Sequence, residues 1–174
     1  TTGAFMDHFI PDVPGPWDIL FRGGYLYVAT TVGGSGNIQR YDATTGAFVD
    51  EFVKRGSGRL NKPKYMTFGP NGNLYVTSLS TNNVLEYNGT TGEFIKEFVP
   101  QYTPGKPLSI INGPTGLLFG PDGNLYVAGY YSNCINRYDG MTGAFLSRFA
   151  SPSTPWDMVF TPEPATLALL GAGL

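Results

Sequence analysis

Apolar and polar positions along this chain follow one short rhythm. In the stretch around residue 120, Thr115-Gly116-Leu117-Leu118-Phe119 is an apolar run closed by Gly120-Pro121-Asp122-Gly123. The proline presets φ and the final glycine accepts positive φ, so the four residues predict a tight turn. Asn124-Leu125-Tyr126-Val127-Ala128 follows as a second run, apolar enough for a strand buried on both faces. Cys134-Ile135-Asn136-Arg137-Tyr138 alternates, as a half-exposed strand does. After Asp139-Gly140-Met141-Thr142-Gly143, another turn, comes Ala144-Phe145-Leu146-Ser147-Arg148-Phe149, the most polar strand and the one expected at the outer rim. Four strands in series are predicted, and no 3.6-residue apolar period predicts a helix before Pro162.

The same four-strand unit recurs. Tyr27, Tyr75 and Tyr126 stand at equivalent places, and so do Phe5, Phe48, Phe94 and Phe145, at spacings of roughly 40 to 50 residues. In the first unit the strands are expected near 17–21, 25–30, 37–41 and 47–53. Units of this size, built only of short strands and turns, predict an all-β fold: a β-propeller of four-stranded antiparallel blades. Three repeats are complete, with partial first and last blades, in segments of about 1–13, 14–60, 61–111, 112–152 and 153–161. The opening residues Thr1 to Ile10 read as an outer strand alone, and Pro155 to Phe160 as an inner strand alone. Both would leave open sheet edges and exposed apolar area. Upstream blades, or self-association with other copies, are therefore expected to complete the ring.

Composition narrows the function classes. With 24 Gly and 14 Pro the chain suits a fold with several tight turns per repeat, and 41% hydrophobic residues suffice for a packed core. A formal net charge of −2 argues against nucleic acid as the main partner. One Cys and one His in 174 residues exclude an internal disulfide and a Cys/His zinc site. His8 shares its place with Glu51, Glu97 and Arg148, so a solvated rim position is expected; Cys134 is expected as a semi-exposed free thiol. Asp42, Asn88 and Asp139 open the turns that end in Thr-Gly, where they cap backbone N–H groups.

The candidate site lies where the repeats differ. Trp17-Asp18 and Trp156-Asp157 begin the inner strand, where the other repeats have Lys64-Tyr65 and Thr115-Gly116. In a propeller those positions approach the axial opening, so Trp17, Asp18, Tyr65, Trp156 and Asp157 are the candidate ligand-binding residues. Indole faces beside carboxylates suit sugar rings, which stack on one and hydrogen-bond to the other. The bland alternative is that each Trp fills the gap between blades. A basic stretch from Val53 to Lys64 carries five of the 11 basic residues, either a grip for an anionic polysaccharide or lipid headgroup or a solvated loop. The longest connection, Val99 to Pro114, is a further candidate for binding specificity.

Through Gly120-Pro121-Asp122-Gly123-Asn124-Leu125-Tyr126-Val127 and Ile135-Asn136-Arg137-Tyr138-Asp139 the repeats resemble NHL-like and gluconolactonase-like propellers. In the lactonases, carboxylates and an Asn hold a divalent metal near the axis. Trp17, Lys64, Thr115 and Trp156 stand where that pattern has Asn, and Thr30, Ser78 and Gly129 where it has Asp. The resemblance therefore implies no axial metal, no cofactor and no lactonase activity here. The catalytic His of streptogramin-lyase-like propellers has no counterpart either.

Residues 162–174 resemble the opening of a PEP-CTERM sorting signal: Pro162, Glu163 and Pro164, followed by an apolar run from Ala165 to Leu174. That run is about half of the ~20 residues a membrane-crossing helix takes, and no Arg cluster follows, so the signal reads as cut short. The resemblance implies export by a Gram-negative bacterium, an exosortase-type sorting protease as partner of the intact tail, and a place at the cell surface or in the exopolysaccharide matrix. Together these readings predict an exported binding or structural module, for a polysaccharide or matrix protein, and not an enzyme. The alternatives are a self-assembling ring or filament protein, and a propeller hydrolase or lyase with catalytic residues outside this segment.

Overall fold

The computed structural model describes residues 8–10, 12–100 and 111–161. They form three four-stranded antiparallel sheets, each with its strands in sequence order. The first holds β1 (Pro16–Arg22), β2 (Tyr25–Val32), β3 (Ser35–Asp42) and β4 (Phe48–Val53). The second holds β5 (Pro63–Phe68), β6 (Leu74–Ser78), β7 (Asn83–Tyr87) and β8 (Phe94–Val99). The third holds β9 (Pro114–Phe119), β10 (Leu125–Gly129), β11 (Cys134–Tyr138) and β12 (Phe145–Ala150). Among the described residues the sole helical segment is a 3-10 turn at Ser57–Arg59.

The turns follow from the sequence. Gly72 and Gly123 take φ of 81° and 75° and close their turns with N–H bonds to Gly69 O and Gly120 O, both at 2.9 Å. Asp42 Oδ1 accepts the N–H groups of Thr44 and Thr45 at 2.9 and 2.8 Å, Asn88 Oδ1 those of Thr90 and Thr91, and Asp139 Oδ1 those of Met141 and Thr142. Register is equivalent in all three sheets: Tyr27 pairs with Leu20 and Arg40, Tyr75 with Thr67 and Glu86, Tyr126 with Leu118 and Arg137.

Those tyrosines also join the sheets. Tyr27 packs edge-on against Phe52 of its own sheet and Phe68 of the next, with centroids 5.1 and 5.3 Å apart. Tyr75 does the same with Phe98 and Phe119 at 4.8 and 5.0 Å, and Tyr126 with Phe149 and Phe160 at 5.0 and 5.1 Å. Each such pair contributes roughly 0.5–1.5 kcal/mol beyond area burial. A Cβ on Gly92 or Gly143 would strike the backbone carbonyl of Phe52 or Phe98, and one on Gly46 that of Phe9. Phe9 thus stands toward the first sheet as Phe52 stands toward the second.

Two expectations change, at Pro155 to Phe160 and at Cys134. Pro155 to Phe160 joins no sheet, because its backbone contact with β9 is one bond, Gly116 N–H to Trp156 O at 2.8 Å, and no second strand pairs with it among the described residues. The outer strand expected at Thr1 to Ile10 lies outside the described residues except at 8–10. Cys134 is fully buried, its Sγ 3.2 Å from Ser132 Oγ, because its strand is covered by the second core cluster. His8 is exposed, as expected.

Candidate functional site

The first strands of the three sheets, β1, β5 and β9, pack side by side. Their starts form a row of equivalent positions, Trp17, Lys64 and Thr115, which Trp156 continues. The indoles of Trp17 and Trp156 meet across it, with centroids 6.4 Å apart and planes at 47°. Tyr130, just past β10, stands edge-on to Trp156 at 5.4 Å. Both indoles remain open to solvent, at 47% and 43% exposure. Further along the strands the sheets are joined by the Tyr–Phe pairs.

The next residue in the chain after Trp17, Lys64 and Trp156 supplies the polar side: Asp18, Tyr65 and Asp157. Asp18 Oδ2 accepts the Met66 N–H of the neighbouring sheet at 2.8 Å, and its Oδ1 accepts the N–H of Ile19 at 2.9 Å. Asp157 Oδ1 accepts Met158 N–H at 2.7 Å. Burial raises the Asp18 carboxyl to about 6, against the pull of the two backbone N–H groups and with help from the negative charge of Asp157. Tyr65 is raised by burial and then by both carboxylates. Where Asp18 and Tyr65 have side chains, β9 has Gly116, and a Cβ there would press on Asp157 Cα and Trp156 O at 2.9 and 3.0 Å. Glycine at this place lets the Trp156-Asp157 segment close on β9.

All five candidate residues thus lie together: Trp17 touches Trp156, and Asp18, Tyr65 and Asp157 act on one another electrostatically. Two members were missed. Lys64 lies only 4% exposed, its Nζ over the Trp17 ring at 2.6 Å and 5.9 Å from that of Trp156. In the sequence it looked like the end of a basic loop and the loss of a metal ligand; the signal available was its place in the Trp17 row. Tyr130 carried no signal, since Thr31 and Leu79 stand at its equivalents. The other basic side chains from 53 to 64 are exposed. Pro162, Glu163 and Pro164, and residues 101–110 of the long connection, lie outside the described residues. Among the described residues no group of three or more His, Cys, Asp or Glu stands where it would hold a metal.

No protein-family model matches the chain, and no curated protein does. Solved structures do. Kuenenia stuttgartiensis hydrazine synthase aligns over 90% of this chain and 41% of its own, with a TM-score of 0.63 at 24% identity. A catalytically inactive virginiamycin B lyase from Staphylococcus aureus with quinupristin aligns over 82% of this chain and 44% of its own, at 0.59 and 22%. The nidogen/laminin complex gives 0.63 at 15% identity, over 82% of this chain and 51% of the other. The chain spans about half, or less, of the length of these proteins. At these identities they show the fold alone, that of a β-propeller. The expectation that the chain is not an enzyme is overturned by the same neighbours: a lyase and a synthase share this scaffold. Losing one family's ligands removes one chemistry, not catalysis as such.

Proposed function

We propose that the axial opening binds a saccharide, whose ring stacks on Trp17 and Trp156 while its hydroxyls meet Asp18, Tyr65 and Asp157. The observation that carries this reading is the pair of half-exposed indoles in contact with each other, with a carboxylate directly after each in the chain. The chain has 2 Trp, both in the site, so intrinsic fluorescence reports on it directly. Titration with neutral and acidic tetrasaccharides is expected to shift the emission, and Trp17→Ala and Trp156→Ala are each expected to weaken binding about tenfold or more. Unchanged emission with both tetrasaccharides, or variants that bind equally well, contradicts the proposal.

Asp18 favours a second reading on the same site. A carboxyl held at about 6 beside a second carboxylate is suited to proton transfer, so acid–base chemistry on the bound saccharide is its enzymatic form. Release of new reducing ends or unsaturated products, lost in Asp18→Asn and Asp157→Asn, is its test.

Export to the cell surface or matrix belongs to the proposal through Pro162, Glu163 and Pro164. So does the covering of the outer faces by further blades or copies: Ile19, Phe21 and Phe48 are exposed on the first sheet, and Phe149 on the third with Val159 and Phe160 beside it.

A further inference from the structure

Lys64 is the charged group that the saccharide reading leaves without a task. It is 4% exposed on β5, and an ammonium taken out of water is costly unless a hydrogen-bond acceptor or counter-charge compensates it. Among the described residues neither is present: Lys64 belongs to none of the ion pairs Arg40–Asp50, Lys96–Glu86 and Arg137–Asp122, and its Nζ makes no hydrogen bond. The indole face of Trp17 compensates in part, through a cation–π contact. Nζ is not sealed in, since it is absent from the fully buried polar atoms that lack a partner, and both indole rings lie within 6 Å of it.

Charge in the opening is therefore divided. Lys64, with Lys62 close enough to act on it, sits with the indoles; Asp18 and Asp157, each directly after a Trp in the chain, sit with Tyr65. A neutral sugar stacked on Trp17 and Trp156 would leave the ammonium as unpaired as before. A sugar acid would place its carboxylate there and form a charge-assisted bond, while the two aspartates repel an anion from the other end and so orient it.

We infer that the saccharide bound between Trp17 and Trp156 is acidic, a uronate residue whose carboxylate is taken by Lys64. This deepens the saccharide reading and rests on it. The test is calorimetry at about 0.15 M salt with two probes of equal length, tetragalacturonate and neutral cellotetraose, on the wild type, Lys64→Met and Lys64→Arg, each checked for an unchanged far-ultraviolet spectrum. The acidic probe is expected to bind about tenfold tighter, Lys64→Met to abolish the difference between the two probes, and Lys64→Arg to keep the preference. Equal affinities for the two probes in the wild type, with binding lost in Trp17→Ala, overturn the inference and leave the saccharide site standing. A preference that survives Lys64→Met also overturns it. If neither probe binds, site and inference fall together.

Discussion

Asp18 does two things that pull on its protonation in opposite directions. Its oxygens accept N–H groups from Met66 and Ile19, which favours the carboxylate, yet burial prevails and holds the carboxyl at about 6 against an ordinary 3.8. The sign of the consequence is fixed: between about 4 and 6 the folded chain binds a proton that the unfolded chain has released, so this group's contribution to stability falls as pH rises through that window. Asp18→Asn is expected to flatten the slope there relative to wild type, read as urea midpoints from pH 4 to 7; an identical pH profile in both proteins would refute the assignment. Asp157→Asn removes the neighbouring charge and is expected to move the slope to lower pH. The site was only partly legible at this scale. Trp17, Asp18, Tyr65, Trp156 and Asp157 stood out because the repeats differ there, whereas the burial of Lys64 depends on an indole from another sheet, which no local pattern encodes. Cys134 was misjudged for the same reason, its cover coming from the neighbouring sheet's residues.

Strands and turns were far more legible. The first and last turns of each sheet carry a local reason to turn, Gly23-Gly24 or Gly-Pro-Asx-Gly after the first strand and Asx-x-x-Thr-Gly before the fourth, and β1 to β4 fall within about two residues of expectation. Pro155 to Phe160 escaped because a strand needs ladder partners as well as an apolar run. The tyrosine clasp gives this scale its clearest test. Tyr75 is 1% exposed between Phe98 and Phe119, and Tyr75→Ala is expected to destabilise the chain by about 3–5 kcal/mol. Gly92→Ala combines positive φ, 73°, with a Cβ driven into the Phe52 carbonyl, and is expected to cost more than ~2 kcal/mol. Gly123→Ala, with φ of 75° but open space around its Cβ, is expected to cost about 1 kcal/mol, the backbone strain alone. Denaturant midpoints that do not separate the two glycines would contradict the close-packing account.

For the molecule as a whole, the three sheets curve so that the first strand row and the segment after the third sheet meet at Trp17 and Trp156. Site and curvature are one feature, since a flatter stacking of sheets would part the indoles. The propeller fold was readable from repeat spacing, but spacing is silent on chemistry: propellers sharing this shape include a lyase and a synthase, and only the side chains at the opening distinguish one use from another. If these two indoles form one saccharide platform, the two indole N–H resonances of the chain report on it together. On titration with tetragalacturonate both are predicted to shift together along one saturable curve, with the Lys64 Nζ and Asp18 carboxyl signals following the same curve. Two indole resonances that stay still, or that move with different affinities, would contradict it.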